Sequence, residues 1–165
     1  MLKIKPMAGT YTQIYIQYVF AVKGRENLLK PEWRQNVFKY MSGIIREKNQ
    51  KAIIVNGVSN HVHAFVGLKP SMRISDLARD IKNNSSNFIN SKRWLPWHFQ
   101  WQEGYGAFSY GHSQLDDVYR YIQNQEQHHK KRSFREEYLE LLKRFEIEFQ
   151  EPYLFEWYDD EPEMV

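Results

Sequence analysis

The chain has 165 residues, 42% hydrophobic and 26% charged, which fits one globular domain rather than a disordered segment. It contains no cysteine, which excludes disulfides, thiolate metal sites and a cysteine nucleophile; no apolar run approaches the roughly 18 residues of a membrane span, so a cytoplasmic protein without a membrane segment is expected. The formal net charge of +3 conceals a division: residues 146–165 hold eight acids and no Lys or Arg, leaving residues 1–145 with all 23 bases against 12 acids, a net of +11 suited to a polyanion such as nucleic acid.

In chain order, residues 1–9 form an expected flexible lead-in with Lys3, Lys5 and Pro6. Thr10 to Val22 is predicted as a long strand, with Ile14, Ile16, Tyr18, Phe20 and Val22 on one face and Gln13, Tyr15 and Gln17 on the other. Lys23-Gly24-Arg25 breaks it. Pro31 then suits a helix's first turn, and Trp33, Val37, Tyr40, Met41, Ile44 and Ile45 recur at helical spacing to about Lys48. Ala52–Ser59 and the segment from His61 to Leu68 are predicted as strands joined by a hairpin over Asn56–Asn60. In the second, Val62, Ala64, Val66 and Leu68 alternate against His61, His63 and Phe65. Side chains two apart on a strand share a face, so the two imidazoles stand about 6.5–7 Å apart at Cα and can close on one divalent cation. Two ordinary surface histidines would give the same spacing, so the pair needs a partner from elsewhere.

Ser75 is a candidate N-cap for a helix running to about Ile89, with Asp76 in its positive first turn. Arg73, Arg79, Lys82, Lys92 and Arg93 decorate this helix and its exit, beside several Asn and Ser side chains, a mixture suited to DNA phosphates and bases or simply to a solvated face. Trp97–Trp101 fits an edge strand, and Gly104-Tyr105-Gly106 a tight turn into another short strand. Their aromatics suit either the core or stacking on unpaired bases. From Gln114, with Ser113 as candidate cap, the pattern is helical: Leu115, Val118, Tyr119 and Ile122 form the buried stripe, while Tyr121 and Gln125, four apart, are neighbours on another face. Tyr119 and Gln123 have the same spacing, which alone does not choose between the pairs. His128-His129-Lys130-Lys131-Arg132 closes the helix with positive charge, and another helix starts at Ser133 with Phe134, Tyr138, Leu141, Leu142 and Phe145. Residues 10–145 thus form one domain, and 146–165 an acidic, aromatic extension expected to pack in part.

The order of elements predicts an α+β fold: a ferredoxin-like βαββαβ antiparallel sheet with helices on one face, plus C-terminal helices carrying the tyrosine. His61-Val62-His63, the link Trp101 to Ser109 and the helical run Tyr121 to His129 together resemble the small single-tyrosine HUH transposases of the insertion-sequence-two-hundred type, over about residues 8–157. The resemblance implies cleavage and rejoining of single-stranded or hairpin DNA through a 5′-phosphotyrosine, with Tyr121 as nucleophile. It also implies Mg²⁺ or Mn²⁺ held by His61, His63 and Gln125, and a homodimer. Chemically this is coherent: a tyrosine with an ordinary pKa of about 10 needs assistance, and a cation on the scissile phosphate offsets developing charge. The rivals are a non-catalytic nucleic-acid binder and a metal-dependent phosphodiesterase that uses water.

Overall fold

The structure is a computed structural model that describes residues 9–158. Residues 1–8 of the expected lead-in and 159–165 of the acidic end lie outside the described residues. The elements are β1 (Tyr15–Ala21), α1 (Arg34–Glu47), β2 (Lys51–Gly57), β3 (His61–Gly67), α2 (Ile74–Lys92), β4 (Gly106–Tyr110), α3 (Leu115–Gln123), α4 (Gln125–His129) and α5 (Phe134–Arg144). The strands form one antiparallel sheet in the order β2-β3-β1-β4. This is the ferredoxin-like arrangement, with the N- and C-terminal strands of the βαββαβ unit paired beside each other.

Alternation along the two central strands builds two cores. Ile16, Tyr18 and Phe20 of β1 and Val62, Ala64 and Val66 of β3 face Val37, Met41 and Ile45 of α1 and Leu77, Ala78 and Ile81 of α2. On the other face, Val19, Ala21 and Phe108 receive Phe134, Tyr138, Leu141 and Leu142 of α5, while Phe65 packs with Val118 and Ile122 of α3. Because helices cover both faces, the polar residues on the second face, Gln17, His61 and His63, are all fully buried. Such groups are stable only with partners. The close fit of α5 on β4 depends on Gly106, where a Cβ would stand 2.8 Å from the Tyr138 hydroxyl. Phe155 is also buried here, against Phe134 and Tyr138.

Several local expectations change. The N-terminal strand is shorter, Tyr15–Ala21 rather than Thr10–Val22. Helix α2 begins at Ile74 behind an extended Arg73, so Ser75 lies inside the first turn and does not cap it; the helix ends three residues later than expected, at Lys92, where Arg93 adopts a left-handed conformation (φ 55°). Trp97–Trp101 is not a strand. Asn90 takes over the pairing of Phe99, donating to its carbonyl at 3.1 Å and accepting from its N–H at 2.7 Å, and only Trp101 bridges to Val22. The single helix expected from Gln114 is two, divided at Asn124. Asn56 of β2 donates to the carbonyls of Ile122 and Gln123 at 3.0 and 3.1 Å, satisfying groups that a continuous helix would use itself. Among the described residues, no helix is long and apolar enough to cross a membrane.

Candidate active site

His61 and His63 point from β3 into the layer beneath α3, α4 and α5, and meet there on Glu137 of α5. Oε1 of Glu137 lies 3.0 Å from His61 Nε2 and 2.9 Å from His63 Nε2. Its other oxygen, Oε2, accepts from the Tyr121 hydroxyl and from Gln125 Nε2 at 3.2 Å, and lies 3.1 Å from His129 Nε2. The break at Asn124 therefore does not separate Tyr121 from Gln125, since both converge on one carboxylate. Arg132 closes the outer side, with Nη2 donating to the Tyr121 oxygen at 3.0 Å and Nη1 paired to Glu140. The His61 ring stacks flat on Phe134, with centroids 3.9 Å apart and planes at 5°, and Tyr121 meets His63 edge-on at 6.1 Å. Arg34, at the buried start of α1, holds α4 through Glu126 at 2.8 Å.

Hydrogen bonds behind the histidines set what each ring presents. Tyr110 donates to Gln17 Oε1 at 2.7 Å, so the Gln17 amide nitrogen, 2.8 Å from His63 Nδ1, donates there and leaves an Nε2–H aimed at Glu137; binding of a cation by His63 requires this amide turned over, with its oxygen accepting from Nδ1–H and Nε2 left free. His61 is the reverse case. With Asn60 Oδ1 accepting from Nδ1 at 2.7 Å, the lone pair of Nε2 faces a carboxylate oxygen at 3.0 Å. Two lone pairs at that separation repel, and a cation bound between them removes the repulsion. Burial, which disfavours the proton, pulls the His61 pKa down to about 3 against the opposing effect of Glu137. Burial would raise Glu137, but nearby His63 and hydrogen bonds from His129 and His63 hold it well below the usual carboxylate range. Burial pushes the Tyr121 hydroxyl up, Glu137 adds to this, and Arg132 opposes it.

The donor set fits a divalent cation. Ligand atoms of His61, His129 and Glu137 lie within 4.8 Å of one another. The Gln125 amide oxygen is fully buried and has no hydrogen-bond partner, which leaves it available to a cation at this place. Nitrogen and oxygen ligands without sulfur suit Mg²⁺, Mn²⁺ or Zn²⁺ more than soft metals.

Of the residues singled out in the sequence, His61, His63, Tyr121 and Gln125 come together here, while Tyr119 lies outside with 38% exposure. The basic residues of α2 are not brought to this site, because α2 packs on the opposite face of the sheet. Arg79 contacts Asp76 and Asp80 at 3.5 and 3.3 Å. The Lys82 ammonium donates to the carbonyls of Gln102 and Gly104 at 2.8 and 2.9 Å, and burial lowers its pKa. Lys92 lies 5.3 Å over Phe88, and Arg73 and Arg93 are exposed at the two ends of the helix.

Glu137 was not singled out by sequence reasoning, although its position carried a signal. It lies on the stripe 134, 137, 138, 141 of an otherwise apolar face, where an acid needs partners to be buried. Gln17 carried a similar signal, as a polar side chain on a strand covered on both faces. Arg132 and His129 belong to the basic run, whose charge in sequence suits any helix end, so nothing there pointed to their contacts with Tyr121 and Glu137.

Paired histidines, a tyrosine and an amide thus meet in one buried cluster on a ferredoxin-like sheet. The sequence profile described as Transposase IS200 like matches residues 10–125, more than half of the chain. The chain belongs to this IS200-like transposase family. Among solved structures it is similar to a candidate transposase from Deinococcus radiodurans R1, at 19% identity and a TM-score of 0.59, over 74% of this chain and 98% of that one. It is also similar to a REP-associated tyrosine transposase bound to a REP hairpin, at 14% identity and 0.53, over 73% and 72% of the two chains. At these identities the likeness shows the fold. No curated protein sequence matches.

Proposed function

We propose that this transposase cuts and rejoins single-stranded or hairpin DNA through a 5′-phosphotyrosine on Tyr121, assisted by Mg²⁺ or Mn²⁺ at His61, His63 and Gln125. The observation that carries this reading is the convergence on Glu137: one carboxylate oxygen faces both histidines, and the other accepts from the tyrosine hydroxyl. A nucleophile and a cation-binding pair are thereby held a carboxylate's width apart, in the same chain.

When bound, the cation would polarise a non-bridging oxygen of the scissile phosphate. The protein's own groups account for the remainder. The Tyr121 oxygen forms a bond to phosphorus as the bond from phosphorus to the 3′-oxygen breaks. The phenolic proton leaves toward Glu137 Oε2, its acceptor here, and the departing 3′-oxygen takes a proton from water. Attack by a 3′-hydroxyl on the phosphotyrosine reverses these steps and rejoins a strand without ATP. Gln17 and Asn60 fix the two imidazoles from behind.

The decisive experiment is covalent capture, in which the protein, Mn²⁺ and cleavable single-stranded DNA give an adduct that survives denaturation. Cleavage without any adduct would assign the nucleophile to water instead. Arg73, Arg79, Lys82, Lys92 and Arg93 are proposed to contact DNA away from the reacting phosphate. Assembly as a homodimer belongs to the same reading, and a clean 20 kDa species at high concentration in light scattering overturns that part.

A further inference from the structure

In the basic run 128–132, helix-end charge does not explain the place that Arg132 takes. Arg132 turns back from the α4–α5 connection so that Nη2 donates to the Tyr121 oxygen at 3.0 Å. Glu140, one helical segment away, holds Nη1 and is itself in contact with Arg144 at 3.4 Å, so the guanidinium is fixed at both ends of its fork. The Tyr121 oxygen then has its proton directed to Glu137 and one lone pair occupied by Arg132, which leaves the other lone pair for attack.

Exposure says from which side a phosphate arrives. His61, His63, Gln125 and Glu137 are fully buried, whereas Tyr121 is half-buried and the Arg132 side chain is 26% exposed. The mouth of the cluster is therefore the edge that these two residues share. A phosphate that reaches the Tyr121 oxygen at bonding distance comes within reach of the guanidinium already on that oxygen. Lys130 and Lys131, both exposed on the same turn, add positive charge to the approach.

We propose that Arg132 is a catalytic residue of the strand-transfer reaction: it holds the nucleophilic oxygen before attack and neutralises a non-bridging oxygen of the scissile phosphate during it, opposite the histidine side. This rests on the covalent reading given above. Electrostatic donors of this kind act on charge that develops in the transition state, so their loss reduces rate more than binding. Glu140 is a positioning residue, acting only through Arg132.

The test uses single-stranded DNA captured covalently by the wild-type protein from a random-core oligonucleotide library in the presence of Mn²⁺. Single-turnover adduct formation is then measured at saturating DNA, with a normal phosphate and with a neutral methylphosphonate at the scissile position. Arg132→Gln is expected to slow the phosphate substrate by about 10²–10³-fold, the usual loss for one such donor, while affinity for the DNA changes little. On the methylphosphonate, which has no charge to neutralise, the deficit should shrink to less than about tenfold. Arg132→Lys should recover part of the rate, and Glu140→Gln should show a smaller loss with the same dependence on phosphate charge. Equal deficits on both substrates, or no deficit, overturn the role of Arg132 while the covalent reading stands. Failure of the wild-type protein to capture any oligonucleotide overturns the covalent reading, and the role of Arg132 with it.

Discussion

The hydroxyl of Tyr121 donates its proton to Oε2 of Glu137, sixteen residues further along the chain, and the other oxygen of that carboxylate faces both histidines of β3. The proposed nucleophile and the proposed cation-binding pair are therefore coupled through an acid on α5, an element distinct from the α3 of the one and the β3 of the other. Changes at Tyr121 and at the histidines are expected to affect each other, since they share an acceptor, and their energetic effects should not add.

Tyr121→Phe keeps the ring and its edge-on contact with His63 while removing the oxygen proposed to attack. It should abolish the covalent adduct and leave DNA affinity within about threefold of wild type, because phosphate contacts elsewhere dominate affinity. Tyr119→Phe is the control and should form adduct normally. Gel analysis of denatured reactions separates these outcomes; adduct lost in Tyr119→Phe and retained in Tyr121→Phe would move the nucleophile to Tyr119.

Metal binding should depend on the β3 pair. In calorimetry without DNA, the His61→Ala, His63→Ala double variant should lose measurable Mn²⁺ binding, and Gln125→Ala should weaken it by about 10-fold, in the range expected when one supporting group is lost. Equal Mn²⁺ binding by the double variant and wild type rejects the assignment.

Acid should destabilise the protein in chelator in two overlapping stages. His61 is pulled from 6.5 down to about 3 in the fold, so between those values the unfolded chain binds a proton that the native state does not, and stability falls as pH falls. Glu137 is held well below 4.5, so the stability it contributes is present above about 4.5 and is lost as pH drops through its lower native value. The two act in the same direction. Tm should fall by about 5–10 °C between pH 7 and pH 4.5, chiefly through His61, and His61→Asn should flatten that part of the profile. A Tm that is level over this interval contradicts the assignment of a neutral buried His61.

The basic residues of α2 should act on binding alone. Arg73→Ala with Arg93→Ala should weaken single-stranded DNA binding and shallow its salt dependence by up to about two in slope, while leaving the adduct rate at saturating DNA unchanged. A slower adduct rate at saturation, measured by rapid quench, would place these arginines at the reacting phosphate despite their position across the sheet. Lys82→Ala should lower Tm as well, since its ammonium serves two carbonyls.

Much of the scaffold was legible because period-2 alternation fixes faces: Ile16, Tyr18 and Phe20 went to one core, and His61 and His63 to one side of β3. Tyr121 and Gln125 were legible through spacing joined to resemblance. The break at Asn124 was not, because the cause is Asn56, nearly seventy residues away, whose amide takes the helix's last carbonyls. The Trp97–Trp101 segment misled for a similar reason, since Asn90 supplies the pairing a neighbouring strand would have given. Glu137 was visible in principle as an acid on an apolar stripe, but its three imidazole partners come from β3 and α4, and only the tertiary fold brings them together.

Gly106 gives this arrangement a mechanical gauge. The residue that presses on it, Tyr138, directly follows Glu137, so the height of α5 above β4 also sets the reach of the carboxylate toward the histidines. A methyl group at position 106 would act as a shim at the sheet edge. It would tilt α5 outward by a fraction of an ångström and lengthen the contacts of Glu137 without touching any residue of the cluster. The tolerance of the chemistry to small displacements can thus be set from outside the site, one carbon atom at a time.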